Sequence, residues 1–317
     1  MTQTSILFVV DPLDELKETK DSSIAMMREL ARRGYAVWAC EARQLFWRDG
    51  VVQSIARRLD IMQQGERWYG AKETAVRPLE SFDGILMRKD PPFDSEYLYS
   101  TYLLEAAVRR GARVFNDPRA LRDHNEKLAI TEFSHYSAPT LVTCDADMIR
   151  AFHREHSQIV IKPLDGMGGR GVFRVGADDP NLGVILETAT ECGRRTVMAQ
   201  RFIPEIAAGD KRILLVAGRP VPYALARTPR PGESRGNLAA GGTARAQPLS
   251  ERDRTIAAAL GPALSDRGLL LVGLDVIGDY LTEINVTSPT CFVEIKRESG
   301  FNVAVMFVDA LERQILP

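Results

Sequence analysis

The sequence predicts an α/β protein, and three observations predict it. The chain opens strand–helix–strand, short apolar runs and helical periodicities then alternate as far as Asp123, and a hairpin of β-branched residues stands near the C-terminus. Residues 6–10 form an apolar run stopped by Asp11-Pro12, a buried strand with a loop at its end. Residues 22–33 place Ile24, Met27, Leu30 and Ala31 at helical spacing, and Gly34 is a helix stop before a second strand at 35–39. Such a unit favours a parallel sheet with a right-handed crossover. Residues 84–87 read as a third strand running into the polar loop 88–92. A helix over 96–110 is closed by Gly111 and followed by a strand at 113–115. Ligands of such sheets lie at the C-terminal ends of strands, where Arg88 and Lys89 stand.

Beyond Asp123 the pattern changes. Residues 125–135 read as a polar helix carrying Lys127, and 148–156 as a second short helix. Strands are predicted at 158–162, 172–175, 196–199, 211–217 and 221–227. The stretch 228–243 is rich in Pro, Gly and Arg, and loops of that length are usually lids or linkers. A helix at 251–265, the hairpin at 274–286 and an amphipathic helix at 301–314 complete the chain.

With 317 residues the chain is too long for one small core and long enough for two or three packed units. A formal net charge of −1 leaves no electrostatic footprint for nucleic acid or an anionic membrane, and no apolar run has the length of a membrane span. The 4 cysteines, Cys40, Cys144, Cys192 and Cys291, include no CxxC pair, as in a reducing cytosol. The expected compartment is therefore the cytoplasm, with neither nucleic acid nor membrane as partner.

Two stretches carry chemistry. In the hairpin, Glu283 and Asn285 lie two apart and share a strand face. If Gly278, Asp279 and Tyr280 make a three-residue loop, Asp275 lies across from Glu283. A two-residue turn would put the carboxylates on opposite faces. The first register converges two carboxylates and an amide oxygen, a hard-oxygen site for Mg²⁺ shared with phosphates. The bland alternative is a wet edge strand. The second stretch, Lys162-Pro163-Leu164-Asp165-Gly166-Met167-Gly168-Gly169-Arg170-Gly171, holds glycines whose backbone amides can approach an anion, after a lysine that can reach phosphate oxygens. It is neither a Walker loop nor a dinucleotide fingerprint, and a plain turn is the alternative. Lys127, Arg227 and Arg235 are individually ordinary surface cations. Arg227 ends a strand, however, and Arg235 lies in the candidate lid, where arginines clamp carboxylates as a lid shuts. A metal floor, a glycine flap and two lysines describe an ATP site set for phosphoryl transfer onto an anionic small molecule.

These two stretches and several further blocks fit one family. Asp275 with Leu281-Thr282-Glu283-Ile284-Asn285-Val286-Thr287-Ser288-Pro289-Thr290 resembles the metal segment of bacterial glutathione synthetases, which are ATP-grasp ligases. The flap block, Arg235-Gly236-Asn237-Leu238-Ala239-Ala240-Gly241-Gly242, Met87-Arg88-Lys89-Asp90-Pro91-Pro92-Phe93-Asp94, Lys20-Asp21-Ser22-Ser23 and Asn125-Glu126-Lys127-Leu128 fit the same family in order. The resemblance implies an N-terminal α/β, Rossmann-like substrate domain at 1–123. An ATP-grasp fold of two α+β subdomains would follow, a central lid at 124–200 and a C-terminal piece at 201–317 carrying the substrate lid loop 228–243. It implies that ATP phosphorylates γ-glutamylcysteine and that glycine attacks the acylphosphate, giving glutathione, ADP and phosphate. Carried over, Asp275, Glu283 and Asn285 hold Mg²⁺, with Mn²⁺ as an alternative ion. Lys127 and Lys162 contact phosphates under the flap Gly166, Met167, Gly168 and Gly169. Gln200, Arg201, Phe202 and Ile203 form the adenine hinge. Arg88, Asp210, Arg212, Arg227, Arg235 and Ser288 surround dipeptide, acylphosphate or glycine, with Arg212, Arg227 and Arg235 the catalytic cations. The family also implies a homotetramer. The chain departs from it at Arg170-Gly171, where smaller or non-glycine residues are expected, and at Arg201, a hinge position that is often uncharged.

Overall fold

The computed structural model describes residues 3–63, 67–230 and 243–316. β1 (Ser5–Val9) is buried at every position, so it lies inside a sheet rather than at its edge. α1 (Ser22–Arg32) begins where Asp21 accepts the Ile24 N–H at 2.9 Å, and it delivers the chain to β2 (Ala36–Cys40), parallel to β1. An antiparallel ribbon of β3 (Leu45–Arg48), β4 (Val51–Ile61) and β5 (Tyr69–Pro78) follows, which the sequence reading leaves unassigned. Its inward positions on β4 include Val52, Ser54 and Ala56, small side chains that leave a faint apolar signal. β6 (Gly84–Met87) pairs with β1, α2 (Ser95–Val108) crosses over, and β7 (Val114–Phe115) and α3 (Pro118–Asp123) complete a sheet of order β3-β4-β2-β1-β6-β7, with β5 on β4.

The polar helix expected over 125–135 is instead a 3₁₀ stretch, Leu128–Tyr136, interrupted at Phe133, and Lys127 caps it rather than riding on it. The Asn125 side chain accepts the Lys127 and Leu128 N–H groups at 3.1 and 3.0 Å, a local turn that competes with α-helix. A second sheet, order β10-β9-β11-β8, then forms from β8 (Thr140–Thr143), α4 (Ala146–His156), β9 (Ile159–Pro163), β10 (Phe173–Val175), α5 (Leu182–Ala189) and β11 (Val197–Arg201). It closes over its own small core of Ile149, Ile159, Ile161, Val175 and Leu186.

The third sheet is built from β12 (Asp210–Val216), β13 (Arg219–Pro220), β14 (Tyr223–Thr228), β15 (Thr243–Pro248), α6 (Glu251–Asp266), β16 (Leu271–Ile277) and β17 (Tyr280–Asn285). Its order is β15-β14-β12-β16-β17, with β13 on β12. Most of the long loop of the sequence reading, residues 231–242 with Arg235, lies outside the described residues. The hairpin corrects the expected turn. Ile277 pairs with Tyr280, so the loop is the two residues Gly278 and Asp279. A bulge between Asp275 and Val276 then places Thr282 as an extra residue on β17 and restores Asp275 opposite Glu283. The short turn alone would have separated the carboxylates; the bulge returns them to one face.

After β17 the chain forms α7 (Phe292–Ser299) and α8 (Val303–Ile315). α8 bridges the third sheet and the first, its core also holding Leu214, Val216 and Leu225 of β12 and β14. Phe307, Val308, Leu311 and Ile315 join Ile6, Phe8, Ile24 and Met27 in one core, and Arg33 of the first helix region reaches Glu312 at 2.7 Å. Among the described residues no helix is long and apolar enough to cross a membrane.

Candidate active site

The site is assembled on one face of the third sheet. Antiparallel pairing sets Asp210 opposite Arg227, Arg212 opposite Asp275, and Asp275 opposite Glu283. Directly opposed residues share a face, so registry alone lines up Arg227, Asp210, Arg212 and Asp275 as four charges of alternating sign, with Glu283 a second carboxylate beyond Asp275. Arg212 donates from Nε to Asp275 Oδ1 at 2.5 Å and from its terminal nitrogen to Oδ2 at 3.0 Å. Arg227 bridges Asp210 Oδ2 at 2.5 Å and Asp275 Oδ2 at 3.0 Å. Gly273 makes room for this: a Cβ there would meet Arg212 Cδ at 2.9 Å.

Burial and pairing pull these carboxylates apart in acidity. Burial drives Asp275 up, but Arg212 and Arg227 outweigh it and hold the group well below the usual carboxylate range. Asp210 goes the other way, raised to about 7, because burial and the neighbouring Asp275 exceed what Arg227 restores. Its Oδ1 is buried with no hydrogen-bond partner among the described residues.

Opposite this face stands the second sheet. Lys162, at the end of β9, is buried, and its Nζ donates to Thr282 O at 3.4 Å. Burial, with Lys127 nearby, lowers its pKa. Lys127 Nζ donates to Gly166 O at 2.6 Å and lies 3.7 Å from Glu283 Oε1. Gly166 is packed where a Cβ would meet Pro163 Cγ at 2.8 Å, and Gly168, Gly169 and Gly171 all have positive φ. The glycine at 171, one of the two departures noted in the sequence, is therefore demanded by its backbone. Along the end of β11, Gln200 donates to Thr140 Oγ1 at 2.9 Å, while the Arg201 and Phe202 N–H groups are taken by Pro139 O and Gln158 O. The charge on Arg201 has a local use: its guanidinium donates to Tyr280 OH at 3.0 Å.

These walls enclose a cavity of about 570 Å³. Lys127, Lys162, Gly166, Met167, Gly168, Gly169, Gln200, Arg201, Phe202, Ile203, Asp210, Arg212, Arg227, Asp275, Glu283, Asn285 and Ser288 all line it. Arg88 does not. It is 7% exposed behind the wall, donating to Ser23 Oγ at 3.1 Å and to Pro289 O at 2.9 Å, so it holds the loop that follows Ser288. Ser288 donates to the Asp90 carboxylate. Glu126, Asp11, Asp90, Lys17 and Lys20 also line the cavity without having been assigned a role from sequence. Lys20, Asp90 and Glu126 lie inside the blocks quoted above, which was the one signal available for them; Asp11 and Lys17 had none.

Among the described residues no group of three or more His, Cys, Asp and Glu side chains is arranged to hold a metal. The donors on this face are two carboxylates and an amide. Asn285 Nδ2 donates to Gly273 O at 3.2 Å, which leaves Oδ1 as the acceptor end. An all-oxygen set of Asp275, Glu283 and Asn285 fits a hard divalent cation that takes its remaining ligands from phosphate and water.

Two family models match this chain: the N-terminal domain of prokaryotic glutathione synthetase over residues 4–122 and its ATP-grasp domain over residues 126–300. The glutathione synthetase of Ralstonia nicotianae is 62% identical over 97% of this chain and 95% of its own length. That of Nitrosomonas europaea is 58% identical over 98% of both chains, and that of Pseudomonas aeruginosa 52% over 97% of both. Among solved structures, the D-cycloserine synthetase DcsG superposes with a TM-score of 0.67 at 14% identity, covering 98% of this chain and 99% of its own. D-alanyl-alanine synthetase A of Vibrio cholerae gives 0.64 at 14% identity over 100% of both chains. At such identities these two likenesses speak for the fold.

Proposed function

The chain belongs to the prokaryotic glutathione synthetase family and is an ATP-grasp carboxylate–amine ligase, and we propose that the cavity just described carries its reaction. In that reaction γ-glutamylcysteine and glycine are joined with ATP as co-substrate, giving glutathione, ADP and phosphate. The observation that carries the reading is the row Arg227, Asp210, Arg212, Asp275 facing Lys162 and Lys127 across one cavity.

Each wall has its part. Lys162 and Lys127 bind the nucleotide phosphates, and the backbone of Gly166, Met167, Gly168 and Gly169 covers them and excludes water. Gln200, Arg201, Phe202 and Ile203 flank adenine. With the Arg201 and Phe202 N–H groups already engaged, reading the base falls to the Ile203 N–H. Asp275, Glu283 and Asn285 would hold Mg²⁺ or Mn²⁺, which supplies neutralisation of phosphate charge when bound. Arg212 and Arg227, joined by Arg235, orient the dipeptide carboxylate so that its oxygen meets the γ-phosphorus as the bond to ADP breaks. They then hold the acylphosphate while glycine, its ammonium having lost a proton to solvent, attacks the carbonyl carbon as the free amine; phosphate leaves and the nitrogen sheds its second proton to solvent. Asp210 faces the glycine ammonium with its unpartnered oxygen, Ser288 contacts substrate, and Arg88 acts from behind the wall.

We further divide the chain into units 1–123, 124–200 and 201–317, place it in the cytoplasm, and take the assembly to be a homotetramer, following the family. Purified protein given ATP, Mg²⁺, γ-glutamylcysteine and glycine should release phosphate and form glutathione by mass spectrometry. Phosphate release no greater than with one substrate omitted overturns the reading.

A further inference from the structure

One half-buried carboxylate in the cavity wall, Glu126, stands outside the roles assigned above. Glu126 Oε1 accepts three hydrogen bonds, from Val286 N–H at 3.1 Å, Thr287 N–H at 3.2 Å and Thr287 Oγ1–H at 2.8 Å. Its own carbonyl accepts the Ile284 N–H at 2.8 Å. The segment so held joins Asn285 to Ser288, just where β17 has ended and its ladder with β16 no longer satisfies the backbone. The residues on either side of Glu126 reach the opposite wall: Asn125 Nδ2 donates to Leu164 O at 3.2 Å, and Lys127 Nζ to Gly166 O at 2.6 Å. Three consecutive residues thus touch both the glycine flap and the strand facing it.

We propose that Glu126 is a positioning residue: its side chain fixes segment 284–288, and with it Asn285 and Ser288, against the turn that presents Lys127 to the flap. The proposal rests on the ligase reading of the cavity. It calls for an acceptor oxygen rather than a charge, since all three partners are donors that a glutamine oxygen satisfies equally well. Alanine leaves three donors without a partner.

The test compares full-length Glu126→Ala, Glu126→Gln and Thr287→Val by kcat, by KM for ATP and glycine, and by backbone hydrogen exchange at Val286 and Thr287 without substrates. In E126A, kcat falls about tenfold or more while KM for ATP moves little, and the two amides lose about tenfold in protection. E126Q restores both to near wild type, and T287V, lacking one bond, loses about fivefold in kcat. A folded E126A with wild-type kcat overturns the proposal, as does a folded E126Q as slow as E126A. Should E126A fail to fold, T287V with wild-type kcat overturns it. If the wild type forms no glutathione, the ligase reading fails instead. Amide protection unchanged in E126A, which needs no substrate, then separately rejects the positioning.

Discussion

The two walls of the cavity are made of different material. On the third sheet the wall is side chain: Asp210, Arg212, Arg227 and Asp275 are locked in a row by strand registry and bonded at 2.5–3.0 Å. On the second sheet it is largely main chain, a glycine loop whose conformation depends on positive φ at residues 168, 169 and 171, with only the lysines projecting. The first wall is preorganised electrostatics, able to stabilise developing charge without rearranging. The second is a cover whose donors are backbone amides and whose chemistry is set by shape. Substitutions on the first should therefore act on the chemical step, and those on the second on nucleotide binding.

Asp275→Asn should break this contrast most severely. It removes a proposed metal donor and strips two buried guanidiniums of their shared carboxylate. Turnover should fall about 10³-fold and stability by about 3–5 kcal/mol. Calorimetry and phosphate release check the pair; near-normal turnover would move the chemistry off this face. Glu283→Gln, at a residue 3.7 Å from Lys127 and a quarter exposed, should cost about 10²-fold in kcat with little loss of stability. Lys162→Met tests the other wall, with KM for ATP rising about 10–100-fold. A fall confined to kcat would place Lys162 with the chemical step instead. Gly166→Ala, which sets a methyl against Pro163, should raise KM for ATP only a few-fold, read from initial rates of phosphate release.

The subtlest effect concerns pH. Asp210 is raised from 3.8 to about 7, so its contribution to stability is fully present below pH 3.8 and is lost as pH rises through about 7. Asp275 is depressed, so its contribution is present above pH 3.8 and lost only in stronger acid. In metal-free buffer, wild-type Tm should therefore decline between about pH 4 and 7 through Asp210, and Asp210→Asn should flatten that decline. An unchanged slope in the variant would remove Asp210 as its source.

The two walls also differed in how far sequence could describe them. The side-chain wall was legible because Asp, Glu and Asn among Val, Leu and Ile announce themselves. Even so, the register was reached by another route than a three-residue loop, since the bulge at Thr282 leaves no mark in composition. The neighbours of Lys127 permit a helix; the Asn125 turn that prevents it is a contest between side chain and backbone that periodicity does not reveal. The ribbon β3–β5 passed unseen because its inward side chains are small. Arg88 was placed at a strand end correctly, but nothing local said that it would point behind the cavity. The arrangement of Glu126 depends on a segment some 160 residues away, beyond the reach of any spacing argument.

The packing of α8 against β1 and α1 has a consequence for how the polypeptide is made. Phe307, Leu311 and Ile315 share a core with Ile6 and Phe8, so β1 lacks part of its packing until a helix far along the chain has been made. On the ribosome, the inner face of the first sheet therefore stays partly uncovered while the chain between β1 and α8 is being made.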